Sequence, residues 1–299
     1  MQNNKKNKIL IIAGPTASGK SALALQIAKE QSAKGEKSAT ESVIINADSM
    51  QIYKELPILS AQPSAADQQQ VPHFLYSILK HNENSSVFAW LKLAQQQIDI
   101  ALAANKLPII VGGTGLYISS LVQGISKIDD IDDDLRQQIR QICQNCSQQE
   151  LVKMLQDLGE NIEQIENLDR QRLGRRLEVL KQTGKTLSWW QNQPKKIFYP
   201  PDFFEFKNIE LKRENLYQNC NLRFKKMLEN GAAEEVKEFL KLKPDLNSPI
   251  AKTIGLLQIK DWLEGKISQE EVIKMAAQKT RNYAKRQLTW FRHQFVATK

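Results

Sequence analysis

The sequence has few cysteines and no long apolar run. Its three cysteines are Cys143, Cys146 and Cys220. The first two have the C-x-x-C spacing of a metal site, but no second pair and no nearby histidine completes a tetrahedral zinc centre. We therefore interpret them as free thiols. No stretch approaches the roughly twenty apolar residues that a membrane-spanning helix requires.

The N-terminus shows no secretory signal, because MQNNKKNK runs directly into a predicted strand. Together with reduced thiols, this predicts a cytoplasmic protein. Acidic residues are outnumbered, since 33 Asp and Glu stand against 42 Lys and Arg and leave a net charge of +9. Such an excess favours a polyanionic partner, nucleic acid first and a membrane surface second. Surface charge that serves only solubility would give the same balance.

Residues 14–21, GPTASGKS, match the phosphate-binding pattern G-x-x-x-x-G-K-[ST]. The apolar segment KILII precedes them and an amphipathic run follows, which is the strand-then-helix context of this nucleotide-binding motif. The loop N–H groups and the positive end of the helix can hold phosphates, and the Ser21 hydroxyl can bind their Mg²⁺. The loop alone leaves open ATP, GTP or another diphosphate. The predicted phosphate-binding set is Gly14, Pro15, Thr16, Ala17, Ser18, Gly19, Lys20 and Ser21.

The first 125 residues alternate predicted strands and helices. The strands KILIIAG, SVIINADS and LPIIVGG are apolar without alternation, which is typical of a parallel sheet covered on both faces. The helix after the first strand is predicted to close on Gly35, and the one before the third strand to begin at Ser85 or Ser86. Ligands of such sheets bind at the carboxyl ends of the strands, an edge that collects residues 14–21, 48–51 and 112–114.

Residues 126–199 read as polar helices with no strand between them. FFEFKNIEL is then predicted to rejoin the sheet as a strand, and the remainder is helical. We therefore predict an α/β fold with a P-loop NTPase-like parallel sheet core, formed by residues 1–125 and 200–299. An α-helical insertion domain of residues 126–199 interrupts this core, and the C-terminus is helical.

Asp48 ends the second predicted strand. A carboxylate at this place can hold Mg²⁺ through water, or it can act as a base and acceptor that faces a substrate. A helix or turn cap is the structural alternative. In DSMQIY the polar side chains of Asp48, Ser49 and Gln51 stand beside the ring of Tyr53, and such a set suits recognition of a base edge.

The acidic run IDDIDDD fits the D-D-x-x-D pattern at Asp129, Asp130 and Asp133. Isoprenyl diphosphate synthases bind Mg²⁺-diphosphate through that pattern, but those enzymes are all-α and carry two copies on facing helices. Acidic residues that open a helix are stabilised by its dipole. We therefore favour helix capping for this run.

Two segments concentrate basic residues. DRQRLGRRLEV places Arg172, Arg175 and Arg176 on nearly one helical face, which is either solvated or bound to phosphate. TRNYAKRQLTWFR is predicted to pack its aromatic side on the core and to follow a nucleic-acid backbone with its cationic side. The cations of that second segment are Arg281, Lys285, Arg286 and Arg292, and its aromatic residues are Tyr283, Trp290 and Phe291.

Five segments in this order resemble the bacterial tRNA dimethylallyltransferases: GPTASGKSALA, NADSMQIYKELP, LPIIVGGTGLY, RQRLGRRLEVLKQTGKTLS and TRNYAKRQLTWFR. The resemblance covers most of the chain. It implies transfer of a dimethylallyl group from its diphosphate to N6 of adenosine 37, in tRNAs that read codons beginning with U. It further implies Mg²⁺ as cofactor, the tRNA anticodon stem-loop and dimethylallyl diphosphate as partners, and a monomer without a membrane partner.

The resemblance also assigns roles to residues. Asp48 accepts the proton of the adenine amine, and Thr16 bonds the bridging oxygen of the diphosphate. The catalytic set is Asp48, Thr16, Thr114 and Lys20, and Arg175 joins the phosphate-binding set. The tRNA-binding set is Asp48, Ser49, Met50, Gln51, Thr114, Gln171, Arg172, Arg175, Arg281, Lys285 and Arg286.

The sequence departs from the family's pattern at five positions. Glu55, Pro57 and Gln62 stand for Gly, Asp and Lys, and Leu256 and Leu257 replace an aromatic residue and a cation. These positions contribute tRNA contacts in the family. Two other functions stay open at this point: an ATP-dependent small-molecule P-loop kinase, and an RNA-binding protein with a decayed active site.

Overall fold

A computed structural model describes residues 8–33, 41–128, 130–207, 209 and 211–295. The chain divides into two compact units, one of residues 1–122 with 198–299 and the other of residues 123–197. The domain boundaries predicted from the sequence, at 125/126 and 199/200, lie within three residues of these divisions. Within the described ranges, no helix is long and apolar enough to cross a membrane.

The first unit is built on a five-stranded sheet in the order β3-β2-β4-β1-β5. Every strand pairs with its neighbours in parallel. The predicted parallel α/β core is therefore confirmed, and Phe204–Phe206 of the segment FFEFKNIEL return to the sheet beside β1. The strands are β1 (Ile9–Ala13), β2 (Ser42–Asn46), β3 (His73–Phe74), β4 (Leu107–Gly112) and β5 (Phe204–Phe206).

Branched apolar side chains bury both faces of the central strands. Ile9, Ile11 and Ile12 of β1 and Ile110 of β4 have no exposed surface. Burial on both faces removes the need for alternation, which explains the continuous apolar runs in the sequence. The helices that pack on these strands are α1 (Lys20–Ala33) and α4 (Val87–Ala103), and α5 (Gly115–Gln123) follows β4.

The N-terminus of α4 is capped by a residue next to it in sequence. Ser86, and not Ser85, caps α4 by accepting the Ala89 N–H. Two short helices lie between β2 and β3, namely α2 (Pro57–Ser60) and α3 (Ala65–Gln70). The predicted end of α1 at Gly35 lies outside the described residues.

Four further helices complete the first unit: α10 (Arg213–Glu229), α11 (Ala232–Lys241), α12 (Leu256–Leu263) and α13 (Gln269–Phe295). Glu235 of α11 caps α2, because its carboxylate accepts the N–H groups of Ile58 (2.7 Å) and Leu59 (2.9 Å). Burial raises the pKa of that carboxyl. A distant residue thus replaces the local cap that Leu56 cannot supply.

The second unit contains α6 (Asp133–Asn145), α7 (Gln148–Asp157), α8 (Arg170–Thr183) and α9 (Leu187–Gln191). Its core is formed by Ile139, Leu151, Leu155, Ile165, Leu173 and Leu177. Asp132 caps α6 by accepting the N–H groups of Asp134 and Leu135, so the acidic run acts as a cap as predicted. Asp129 of the D-D-x-x-D pattern lies outside the described residues.

The prediction that Arg176 shares a solvated or phosphate-binding face of α8 with Arg172 and Arg175 is wrong. Its side chain is buried and bonds the buried Glu160 at 2.7 Å and the Ser188 hydroxyl at 3.1 Å. A spacing of four residues places Arg176 near the face of Arg172, but of these three arginines the packing of α8 leaves Arg172 and Arg175 exposed and buries Arg176. The three cysteines are free, as interpreted, and Cys220 is buried.

Candidate active site

The phosphate-binding loop of residues 14–21 connects β1 to α1. Gly19 has φ +86° and Ala17 has φ +62°, so the loop turns through left-handed backbone at two positions. The Lys20 ammonium bends back and donates to the Pro15 carbonyl at 3.1 Å. Burial lowers the pKa of Lys20 to about 8, against the opposing effect of the Asp48 carboxylate. The free loop thus holds a partly desolvated cation that a phosphate would stabilise.

Thr16 of this loop is held from two sides. Its N–H donates to Oε1 of Gln287 at 2.8 Å, and its hydroxyl oxygen accepts from Nη1 of Arg223 at 2.6 Å. Because the oxygen accepts from the guanidinium, the hydroxyl hydrogen stays free to donate to a ligand. Arg223 comes from α10, and its burial lowers the pKa of the guanidinium.

Asp48 lies just beyond β2, in a backbone fixed by the fully buried Asn46. The Asn46 amide accepts the Asp48 N–H at 2.8 Å and donates to the Asp48 carbonyl at 2.9 Å. Oδ1 of Asp48 accepts the Met50 N–H at 2.9 Å. One carboxylate oxygen therefore does cap a turn, and Oδ2 makes no hydrogen bond to the described residues. The carboxylate is thereby oriented and keeps one acceptor available.

Thr114 joins the loop after β4 to the loop after β2. Its hydroxyl oxygen accepts the Ser49 N–H at 2.9 Å, and its own N–H donates to the Ala47 carbonyl at 3.1 Å. Gly112 permits this approach, because a Cβ there would lie 2.1 Å from the Ala47 carbonyl oxygen. Thr114 thus fixes Ser49 beside Asp48.

Two cavities meet at this edge of the sheet and share Thr16, Asp48, Arg223 and Met227. The phosphate-side cavity, about 810 Å³, is also lined by Gly19, Lys20, Ser21 and Gln51. The inner cavity, about 310 Å³, is also lined by Ser49, Met50, Leu59, Phe224, Ile254, Lys252, Tyr283 and Arg286. One cavity is therefore suited to an anion, and the other has apolar walls with cations among them.

Most of the predicted site residues of the first unit line these two cavities. The side-chain amide of Gln51 donates hydrogen bonds to the carbonyls of Ser60 (3.0 Å) and Ala61 (2.7 Å). On α13, Lys285 and Arg286 are exposed, and the Arg286 guanidinium stacks on Tyr283 at 5.6 Å. Arg281 donates to Asn221 of α10.

The aromatic side of α13 packs inward, as predicted. A Cβ at Gly115 would lie 2.2 Å from the ring of Trp290.

The predicted residues of the second unit lie on α8. Gln171 is exposed, Arg172 lies 3.7 Å from Asp169, and Arg175 bonds Glu178 at 3.1 Å. Arg175 as a ligand of the diphosphate stays a prediction, as does tRNA contact by all three.

Sequence reasoning missed Arg223, Gln287 and Asn46. Arg223 follows the spacing of the buried residues Leu216, Cys220 and Met227 on α10. A charged residue at a core position of an amphipathic helix is the signal that would have found it.

Comparison with known proteins assigns a family. The family model described as IPP transferase matches residues 51–294. The tRNA dimethylallyltransferase of Wolbachia pipientis wMel is 41% identical over 296 residues, which cover 98% of this chain and 95% of that protein. The tRNA dimethylallyltransferase of Rickettsia bellii (strain OSU 85-389) is 40% identical over 292 residues, which cover 97% of this chain and 89% of that protein. The chain belongs to the IPP transferase family.

Solved structures agree with this membership of the IPP transferase family. The full-length tRNA isopentenylpyrophosphate transferase of Bacillus halodurans has a TM-score of 0.66 at 29% identity, covering 97% of this chain and 88% of that one. A eukaryotic dimethylallyltransferase, solved acting on tRNA, has a TM-score of 0.77 at 26% identity, covering 96% and 70%.

The five departing positions fall inside the IPP transferase match, and the first three have defined local structure. Glu55 accepts the His81 N–H at 3.0 Å, and Pro57 opens α2. Gln62 donates to the Tyr53 carbonyl at 2.7 Å and accepts from the Ser77 hydroxyl at 2.7 Å. Leu256 is fully buried, and Leu257 is partly exposed on α12.

Proposed function

We propose that this protein transfers the dimethylallyl group of dimethylallyl diphosphate to N6 of adenosine 37, in tRNAs that read codons beginning with U. The observation that carries the proposal is the position of Thr16, Asp48 and Arg223, which line both the phosphate-side cavity and the inner cavity. A group cleaved from a diphosphate in the first cavity can therefore meet a nucleophile in the second.

The diphosphate is held by the loop of residues 14–21. The N–H groups of the loop, the Lys20 ammonium and the Arg223 guanidinium face the charge that builds on the leaving pyrophosphate. The Thr16 hydroxyl, fixed by Arg223, donates to the bridging oxygen as the C1–O bond breaks. Both electrons of that bond leave with the pyrophosphate.

The hydroxyl of Ser21 and the carboxylate of Asp48 line the same cavity and are the hard oxygen ligands that Mg²⁺ prefers. Among the described residues, no group of three His, Cys, Asp or Glu is placed to hold a metal ion. A Mg²⁺ ion bound together with the phosphates would be held by Ser21 and would supply positive charge to the pyrophosphate.

The acceptor is an exocyclic amine whose lone pair is delocalised into the purine ring. Asp48 accepts its proton as the bond from N6 to C1 forms, which raises the nucleophilicity of the amine in the transition state. The adenine must leave the anticodon stack to reach this carboxylate. Leu59, Phe224 and Ile254 give the inner cavity apolar walls that suit the branched hydrocarbon and exclude water.

The tRNA backbone meets cations at the rim of the inner cavity and on α13. Lys252 and Arg286 line that cavity, and Lys285 is exposed beside Arg286. The net charge of +9 supports an approach driven by phosphate contacts.

Purified protein, dimethylallyl diphosphate, Mg²⁺ and unmodified tRNA, without ATP, should yield N6-dimethylallyl adenosine on nucleoside analysis. Substitution of adenosine 37 in the tRNA should abolish the product. Conversion of ATP to ADP with a small-molecule acceptor, and no prenylated adenosine, would favour the kinase. Absence of product with any tRNA, at normal tRNA affinity, would favour the decayed RNA-binding protein.

A further inference from the structure

The side chain of Gln287 is buried at the site. It lies within the segment TRNYAKRQLTWFR but outside the residues predicted to bind tRNA. Gln287 lies on α13 and is 5% exposed. Its Oε1 accepts the Thr16 N–H at 2.8 Å, and its Nε2 donates to the Gly113 carbonyl at 2.8 Å. One amide group therefore bridges the loop after β1 and the loop after β4.

The Gln287 amide packs directly against the backbone of Gly113. A Cβ at Gly113 would lie 2.2 Å from Nε2 of Gln287, so a side chain there would displace the Gln287 amide from its position. Trp290 covers Gly115 in the same way, one turn further along α13. The inward face of α13 is thus fitted to both loops of the site.

The hydrogen bond to Thr16 has a consequence for the phosphate-binding loop. The Thr16 N–H is occupied by Gln287, so phosphate oxygens must be held by N–H groups later in the loop. With the backbone fixed by Gln287 and the hydroxyl oxygen accepting from Arg223, the Thr16 hydroxyl hydrogen is directed away from that guanidinium. The second bond, to Gly113, fixes the chain immediately before Thr114, which holds Ser49 beside Asp48.

We propose that Gln287 is a positioning residue for prenyl transfer. It fixes the position of the Thr16 hydroxyl, which contacts the leaving group, relative to the Asp48 carboxylate, which contacts the nucleophile. This inference rests on the proposed function. Gln287 is not among the residues that line the two cavities. Its proposed action runs through Thr16 and through the loop that carries Thr114.

The first test replaces Gln287 by methionine, which has similar length and removes both hydrogen bonds. The expected result is a fall in kcat of about 10²-fold, the scale of a slight misplacement of reacting groups, at unchanged tRNA affinity. The matched control is Val272→Ala, a fully buried position about four turns away on α13. It should lower the melting temperature and leave kcat unchanged well below that temperature.

The second test uses Gln287→Glu and a pH profile. A protonated carboxyl can accept from the Thr16 N–H and donate to the Gly113 carbonyl, as the amide does, whereas an ionised one has no hydrogen to donate. The kcat of the variant relative to that of the unmodified protein at the same pH should therefore rise as pH falls. A ratio that is constant with pH would contradict a role for these hydrogen bonds in catalysis.

The third test combines Gln287→Met with Thr16→Val. If Gln287 acts through Thr16, the combined loss of kcat will be smaller than the product of the two single losses. Losses that multiply, or a Gln287→Met variant with full kcat, would overturn the role of Gln287 while the proposed function stands. Absence of prenyl transfer in the unmodified protein would overturn both.

Discussion

The charge state of Lys20 predicts how substrate affinity depends on pH. Burial places the pKa of the free ammonium at about 8, and a bound diphosphate would raise that pKa by direct attraction. Only the protonated form binds well, so the apparent dissociation constant is proportional to 1 + 10^(pH − 8). The affinity for dimethylallyl diphosphate should therefore fall about tenfold between pH 7 and pH 9.

Isothermal titration with dimethylallyl diphosphate at fixed Mg²⁺ measures this effect. The second ionisation of a phosphate group lies near pH ~6, so the ligand changes little in charge over the range used. Near pH 8, titration in buffers of different ionisation enthalpy should show uptake of about half a proton per site. Lys20→Met should bind weakly and without this pH dependence. An affinity of the unmodified protein that stays constant from pH 7 to pH 9 would refute the assignment.

Three further substitutions test separate parts of the account. Asp48→Asn should lower kcat by about 10²–10⁴-fold at nearly normal tRNA affinity, and a large loss of tRNA affinity would instead indicate a structural role. Arg286→Ala should weaken tRNA binding and reduce the slope of log K against log[salt] by about 1, whereas an unchanged slope would place this residue away from phosphates. Gly112→Ala should lower the free energy of unfolding by about 1–3 kcal/mol, because its Cβ would overlap the Ala47 carbonyl; wild-type stability in denaturant titration would contradict the close approach.

The parts of the fold that depend on local pattern could be predicted from the sequence. Continuous apolar runs predicted the parallel strands, and the glycine-rich loop predicted the turn between β1 and α1. The acidic run before α6 was correctly interpreted as a cap, because Asp132 needs only its own neighbours in sequence to bond. These features are determined within a few residues of chain.

Features that depend on distant contacts could not be predicted from a single sequence. Arg223 and Thr16 are 207 residues apart, and Gln287 and Thr16 are 271 apart. The helical spacing of Arg176 is that of a solvated face, but in the fold its side chain bonds Glu160 and Ser188. Polar residues at core positions of helices are the recurrent sign in all three cases, and their partners come from the tertiary fold.

The central claim is that the loop of residues 14–21 holds an isoprenoid diphosphate. A crystal structure of the protein with a tRNA anticodon stem-loop, an unreactive thio analogue of dimethylallyl diphosphate and ATP together would test it directly. The analogue's two phosphates are expected in the loop and its hydrocarbon toward Asp48, with N6 of the extruded adenine within reach of both C1 and that carboxylate. ATP in the loop with the isoprenoid absent from both cavities would contradict it.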